Sequence, residues 1–363
     1  MRFPEFTEEW RKYKLSEICS FFSGGTPSSS KKEYYDGSIP FIRSGELHED
    51  QTELFITEDG LKNSAAKMVE VGDLLLALYG ATSGDIAISK INGAINQAIL
   101  CIRTEQHKKF IESIWYKHVG KLLQTYLQGG QGNLSADIVK NISFYFAAIE
   151  EQKKLAEFIA LLDERIATQN KIIEKLETLI KALSATIFNS LQGPLILLSK
   201  VASIKKGQQL NGTELEECGR YYVMNGGVVP SGYYNEYNTE ANTISISEGG
   251  NSCGYVQFNT LPFWSGGHCY TLCDIKSELI NPKYLYHYLK YKEQNIMALR
   301  IGSGLPNIQK KALEQFGIKL PDMTMQNRIA IALDTITKKI DVENRIKKSY
   351  QVQKSYLLSN LFI

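Results

Sequence analysis

No long apolar run interrupts the 363 residues, and Met1 to Arg11 lacks the basic, apolar and small-residue succession of a secretory leader. A soluble, cytoplasmic protein without a membrane partner is the expectation. Paired Cys-x-x-Cys spacing is also missing, so the six cysteines (Cys19, Cys101, Cys218, Cys253, Cys269 and Cys273) read as reduced thiols. His268, Cys269 and Cys273 lack a fourth ligand at zinc spacing and fall in a segment that reads as a strand; no metal site is expected. The Gly-x-x-x-x-Gly-Lys-Ser/Thr phosphate loop is absent, since Gly249-Gly250-Asn251-Ser252 carries no lysine, which argues against an ATPase. Five scattered histidines give no Ser/His/Asp arrangement, and Asp274-Ile275-Lys276 is a fragment of a nuclease pattern without its partner acid. A surplus of charge of either sign is missing as well. Lys plus Arg number 41 against 39 Asp plus Glu, a balance that neither demands nor excludes nucleic acid, because a local patch matters more than a total.

What is present is a chain too long for one domain, 43% hydrophobic and 22% charged, with 20 tyrosines. Tyrosine suits both strand packing and adaptable recognition surfaces. The informative feature is an internal repeat. Leu155, Ile159, Leu162, Ile166, Ile173, Leu176, Ile180, Leu183 and Ile187 step by threes and fours, with Gln169 in the one vacant seam position. A shift of 174 residues carries Leu155 to Ile329 and begins a second seam through Leu333, Ile336, Ile340, Tyr350, Leu357 and Leu361, interrupted by Glu343, Lys347 and Lys354. Identities at that shift include Asn133 with Asn307, Gln152 with Gln326, Ala156 with Ala330 and Asn170 with Asn344. It also pairs two helical segments, Phe110 to Tyr116 and Tyr284 to Lys290. Upstream, Leu15-Ser16-Glu17-Ile18 with Gly24 mirrors Leu198-Ser199-Lys200-Val201 with Gly207, Ile42-Arg43 mirrors Met224-Asn225, and Gly72 to Ala87 mirrors Ala241 to Val256. Each half therefore reads as an irregular, mainly β head with helices, followed by one long helix.

A helix of some forty residues spans roughly 60 Å, beyond the width of either head, so the two seams are expected to pack on each other as a spacer. Heads held apart suit duplex DNA, which has its own axial ruler. The richest polar loops occupy equivalent places in both halves. In the first head these supply Ser23, Thr26, Ser29, Lys31, Lys32, Tyr34 and Arg43 as candidate DNA contacts; in the second, Lys205, Lys206, Gln208, Asn211, Asn225, Ser231, Tyr233 and Tyr234. Lysine neutralises phosphate, small residues let the backbone approach it, and Arg, Asn or Gln can make paired hydrogen bonds to purine edges. The loops differ in sequence, as two readers of different words would.

These residues resemble the specificity subunits of type I restriction-modification systems over essentially the whole chain. The carriers are Leu15-Ser16-Glu17-Ile18-Cys19 with Ser23-Gly24-Gly25-Thr26-Pro27, Ile39 to Leu47, Gly72-Asp73-Leu74-Leu75, Ile95-Asn96-Gln97-Ala98, and Gly132-Asn133-Leu134 running on to Glu150 through Ala156. Gly302 to Ile308 and Leu320-Pro321 with Gln326 repeat the theme. The chain departs from the family pattern at Ala147-Ala148, at Met325, and at Gly266-Gly267, which falls near the place of Asn96-Gln97.

The resemblance implies an α+β (α/β) fold with an internal pseudo-two-fold repeat. Two target recognition domains, 1–149 and 192–321, would be separated by two long antiparallel coiled-coil helices, 150–191 and 322–363. Leu155, Ile159, Leu162, Ile166, Ile329, Leu333, Ile336 and Ile340 would form the spacer and the docking platform for two modification subunits. It further implies no catalytic residue and no cofactor on this chain: S-adenosylmethionine, ATP and Mg belong to the modification and restriction subunits. Two other readings stay open, a coiled-coil interaction protein with non-DNA ligands and a DNA methyltransferase. The latter rests on Asn281-Pro282-Lys283-Tyr284, a near-match to the Asn-Pro-Pro-Tyr adenine motif that Lys283 breaks and that suits a helix start equally well.

Overall fold

Leu74–Ala77 is apolar at every position and buried at every position, which makes it an interior strand of the first four-stranded antiparallel sheet. The order of that sheet is Cys19–Ser23, Ile99–Thr104, Leu74–Ala77 and Ile86–Ile88. A second sheet runs Phe55–Ile56, Tyr35–Ile42, Gly93–Ile95 and Lys67–Val69, and its central pair is parallel, with Ile42 opposite Ile95. The helix Lys108–Tyr126 lies over the first sheet, where Trp115 Nε1 donates to Gly84 O at 2.7 Å and Tyr116 OH to Ile86 O at 2.6 Å. Arg11–Lys14 pairs antiparallel with Ser143–Phe146. The computed structural model describes residues 2–126, 134–302, 304 and 306–362; Asn133, and Ser303 and Leu305 of the glycine-rich 302–308 segment, lie outside the described residues.

The second half repeats the plan, and residues 1–169 with 346–363 form one unit while 170–345 form the other. Ser203–Lys206, Cys269–Cys273, Thr243–Ser247 and Val256–Asn259 make the matching antiparallel sheet. Gly232–Tyr234, Tyr221–Met224 and Trp264–Ser265 make the matching mixed one, with Met224 parallel to and opposite Ser265. The ribbon of Leu195–Leu197 with Gly317–Lys319 and the short helix Leu198–Val201 correspond to Arg11–Lys14 with Ser143–Phe146 and to Leu15–Ile18. Pro282–Tyr291 is the counterpart of Lys108–Tyr126.

Two long helices, Ile149–Ser190 and Met323–Leu361, carry the seams. One identity of the repeat has a clear mechanical role. Gln152, 1% exposed, donates from Nε2 to Ala147 O at 2.8 Å and accepts at Oε1 from His107 N, tying the start of its long helix to the start of the head helix. Gln326, equally buried, donates to Pro321 O at 2.9 Å and accepts from Asn281 N. The same side chain closes the same junction twice.

Within the first unit, Leu155, Ala156, Ile159 and Leu162 enter one core with Trp10, Phe110, Phe146, Leu357, Leu361 and Phe362. Lys354, a polar interruption of the second seam, reaches Asp163 at 2.5 Å, which also meets Lys109 at 2.7 Å. Arg165 Nη1 donates to Tyr350 OH at 3.3 Å, so the helices run antiparallel here, 163 meeting 354 and 165 meeting 350. Within the second unit, Ile329, Ala330 and Leu333 join Phe188, Leu191, Tyr284 and Leu285. Leu155, Ile159, Leu162, Ile329 and Leu333 are buried in these two cores, each against residues of the other long helix as well as of the adjoining head; Ile166, Ile336 and Ile340 are half-buried.

His287 in the second unit is 4% exposed, its Nε2 3.9 Å from Asp334 Oδ1 and so beyond hydrogen-bond reach. Burial lowers its pKa to about 4 against the pull of Asp334, with Lys283 adding to the lowering. The unfolded chain takes up a proton near 6.5 that the folded unit refuses until about 4, so stability falls as pH drops through that window. The expected loss is about 3 kcal/mol. Denaturant unfolding of His287→Leu at pH 7 and pH 4 checks this: the acid loss should shrink, and an unchanged loss would exonerate the histidine.

Candidate nucleic-acid interface

The loops that follow the first strand of each antiparallel sheet lie against the loop after the parallel strand of the mixed sheet. In the first unit, Cys19–Ser23 runs into Gly24, whose N donates to Asn96 O at 3.2 Å. A Cβ at Gly24 would stand 1.8 Å from Ile95 O, so only glycine permits this approach. Thr26 Oγ1 donates to Gln97 Oε1 at 2.8 Å, and Tyr35 OH to Pro27 O at 2.6 Å. Because Ile42 is paired with Ile95, Arg43 emerges beside Asn96. Ser23, Thr26, Arg43, Asn96 and Gln97 therefore share one corner of the head.

The remaining candidates of this head divide. Ser29, Lys31 and Lys32 are exposed on the next turn, but Lys31 Nζ is spent on Tyr34, donating to its OH at 2.9 Å and lying 4.9 Å from its ring centroid. Tyr34 is only 8% exposed, so it lies beneath this turn rather than on its surface. Arg43 Nη2 donates to Glu46 Oε1 at 2.6 Å and to Glu53 Oε2 at 2.8 Å. Burial pushes the Glu46 carboxyl up, but hydrogen bonds from Arg43 and Thr52 outweigh it and bring the pKa down to about 2.

The second unit builds the same corner with other side chains. Gly207 N donates to Cys269 O at 2.9 Å and Gln208 N to Ser265 O at 2.8 Å, and a Cβ at Gly207 would lie 2.3 Å from both Ser265 O and Gly266 O. Asn225, emerging after Met224, stands where Arg43 stands in the first unit. Its Oδ1 accepts from His268 N at 3.1 Å, the service that Asn96 Oδ1 performs for Ala98 N at 2.9 Å. Gly266 is small because a Cβ there would meet Asn225 Oδ1 at 2.6 Å. The Gly266-Gly267 departure is thus a compensated exchange: the bracing asparagine has moved to the neighbouring strand, and the site it left has lost its side chain.

Lys205, Gln208, Asn211, Ser231 and Tyr233 are exposed in this unit. Lys206 is tied to Glu248 at 2.7 Å, which also accepts from Tyr270 OH. Tyr234 meets Trp264 edge-on at 5.1 Å, and Trp264 Nε1 donates to Gln208 O. An open groove of about 520 Å³ adjoins, lined by Lys205, Lys206, Gln208, Asn238, Glu240 and Asp274 among others. Gln97, Trp264, Asn238 and His268 were not among the sequence candidates; only Gln97 had a legible signal, its place just after a strand.

This surface offers hydrogen-bond donors, acceptors and a few cations. Burial pushes the Cys101 thiol up to about 12 and Cys269 to about 11, the opposite of an activated nucleophile. Asn281 caps its helix, accepting from Lys283 N and Tyr284 N, while Tyr284 is fully buried; the near-match to an adenine motif builds a helix start. No helix among the described residues is long and apolar enough to cross a membrane.

A sequence-family model described as the type I restriction modification DNA specificity domain matches residues 7–178 and again 197–350. The chain belongs to that family. The putative type I specificity subunit S.MpnORF638P of Mycoplasma pneumoniae is 35% identical over 150 residues, 41% of this chain and 40% of that protein. The MjaVIII specificity subunit of Methanocaldococcus jannaschii is 21% identical across 98% of this chain and 92% of its own length. In fold, the chain is similar to the crystal structure of a type I restriction-modification S subunit from M. genitalium, with a TM-score of 0.72 and 18% identity over 99% of this chain and 97% of that one.

Proposed function

We propose that this specificity-family chain is the non-catalytic reader of a type I restriction-modification complex, each head recognising one half of a bipartite duplex site. The observation that carries this is the duplicated corner: one backbone frame, fixed by Gly24 and Gly207, presenting Thr26, Arg43 and Gln97 in one head and Gln208, Asn225 and His268 in the other. A shared frame with unlike donors and acceptors is what reading two different words requires. The long helices set the half-site spacing and dock two modification subunits, which methylate adenine. Their exposed apolar residues, Leu161, Leu179, Ile331, Val342, Val352 and Tyr356, suit that docking better than the buried seam. S-adenosylmethionine, ATP and Mg act on the modification and restriction partners.

Co-expression with the modification subunits followed by mapping of methylated adenines should give one split motif. Absence of any split motif would count decisively against two readers. Binding of the assembled complex to its duplex should also weaken with salt, by roughly three orders of magnitude between about 50 and 200 mM for about six phosphate contacts. Salt-insensitive binding would point instead to the interaction-protein reading.

A further inference from the structure

We propose that Arg43 reads a guanine in the half-site met by the first head, with Glu46 as its permanent positioning residue and Glu53 as a carboxylate that the base edge displaces. This rests on the DNA-reading function above and adds the base class and the gate. Arg43 is half exposed at the corner it shares with Thr26 and Gln97. A guanidinium meets guanine O6 and N7 with two parallel N–H groups, either Nε with Nη2 or Nη1 with Nη2. Both modes need Nη2, and its two hydrogens are directed at Glu46 and Glu53. In the free protein the reading edge is therefore occupied.

The two carboxylates are not equivalent. Glu46 is 13% exposed and further held by Arg43 N at 3.0 Å and Thr52 Oγ1 at 2.9 Å, as part of the turn Ser44–Glu46. Glu53 is 86% exposed, and Arg43 is its side-chain partner. Glu53 is the one that can leave, since an exposed ion pair is worth little in water, whereas Glu46 keeps the guanidinium aimed. A guanine edge replaces what Glu53 gave up with two acceptors. Adenine sets an amino donor where guanine has O6, returns only part of that, and leaves Glu53 in place to repel the backbone phosphates. Among the described residues no carboxylate bonds the side chain of the counterpart in the second head, Asn225, which accepts from His268 N, so the device belongs to the first half-site alone.

The test uses the full chain assembled with its modification subunits, measuring equilibrium binding and methylation on duplexes whose first half-site base pairs are replaced one at a time. Arg43→Ala and Arg43→Lys should each lose roughly tenfold to hundredfold of the discrimination at one guanine, with the second half-site unaffected. Glu53→Gln should keep the cognate site and bind the adenine-substituted duplex several-fold more tightly. Because both positions are exposed, the variants should melt with the parent. Discrimination intact at every base pair in Arg43→Ala overturns base reading by Arg43, and unchanged near-cognate binding in Glu53→Gln overturns the gate, while the parent's split motif leaves the two-reader function standing. A parent complex that selects no split site overturns that function itself, and this inference with it.

Discussion

Gly24→Ala should erase recognition of one half-site and leave the other intact, and Gly207→Ala should do the reverse. The obstacle in each case is main chain. A methyl group at Gly24 overlaps Ile95 O, 1.8 Å away, and one at Gly207 falls 2.3 Å from Ser265 O and Gly266 O. A flexible side chain could turn aside; a carbonyl in a paired strand cannot move without breaking the register that places Arg43 or Asn225. Relief comes from the loop, which must lift away from the corner at a cost of roughly 3 kcal/mol or more. Lifting separates Thr26 from Gln97 in the first head and Gln208 from Ser265 in the second. Since about 1.4 kcal/mol is tenfold in affinity, binding to the affected half-site should fall at least a hundredfold. Gly45→Ala is the control, because nothing lies within 4 Å of its Cβ and it should stay within about 0.5 kcal/mol of the parent. If Gly24→Ala and Gly45→Ala bound and methylated alike, the tight corner would have no part in reading.

The repeat that makes this paired prediction available was legible because periodicity and chain punctuation are local. The seams, the Leu15–Ile18 and Leu198–Val201 turns, the Asn281 cap with Pro282 and the recurrence of Gln152 and Gln326 are all properties of short windows, and the fold keeps each of them. What escaped was whatever depends on two distant segments meeting. Tyr34 looks like any loop tyrosine until Thr57 and Gly60, more than twenty residues on, pack against it. Arg43 looks like a free cation until Glu53, ten residues on, arrives at 2.8 Å. Gly266 looks like a lost motif until Asn225 is seen to occupy its space. The seam residues show a related limit. A heptad pattern reports that a face is buried and says nothing of which surface covers it, and here the ends of both seams are covered by the heads.

That last point sets the boundaries for exchanging specificity between relatives. A chimera that replaces residues 1–149 alone is expected to fold poorly, because Leu155, Ala156, Ile159 and Leu162 of one long helix and Leu357, Leu361 and Phe362 of the other belong to the first unit's core. Phe362 packs 5.3 Å from the Phe110 ring and 6.4 Å from Trp10, and Lys354 and Lys109 share Asp163. Foreign partners at several such positions, at roughly 1–3 kcal/mol for each misfit, should depress the melting temperature by about 10 °C or more for a unit of this size. Replacing 1–169 together with 346–363 keeps each side chain with the core it evolved in, and should melt near the parents. Methylation by that second chimera should then change in one half of the motif only. A change in both halves would break the two-reader scheme, whereas a 1–149 chimera as stable as the parent would show that the helix ends are interchangeable lids. The test separates the two ideas because the first outcome is read in sequence and the second in temperature.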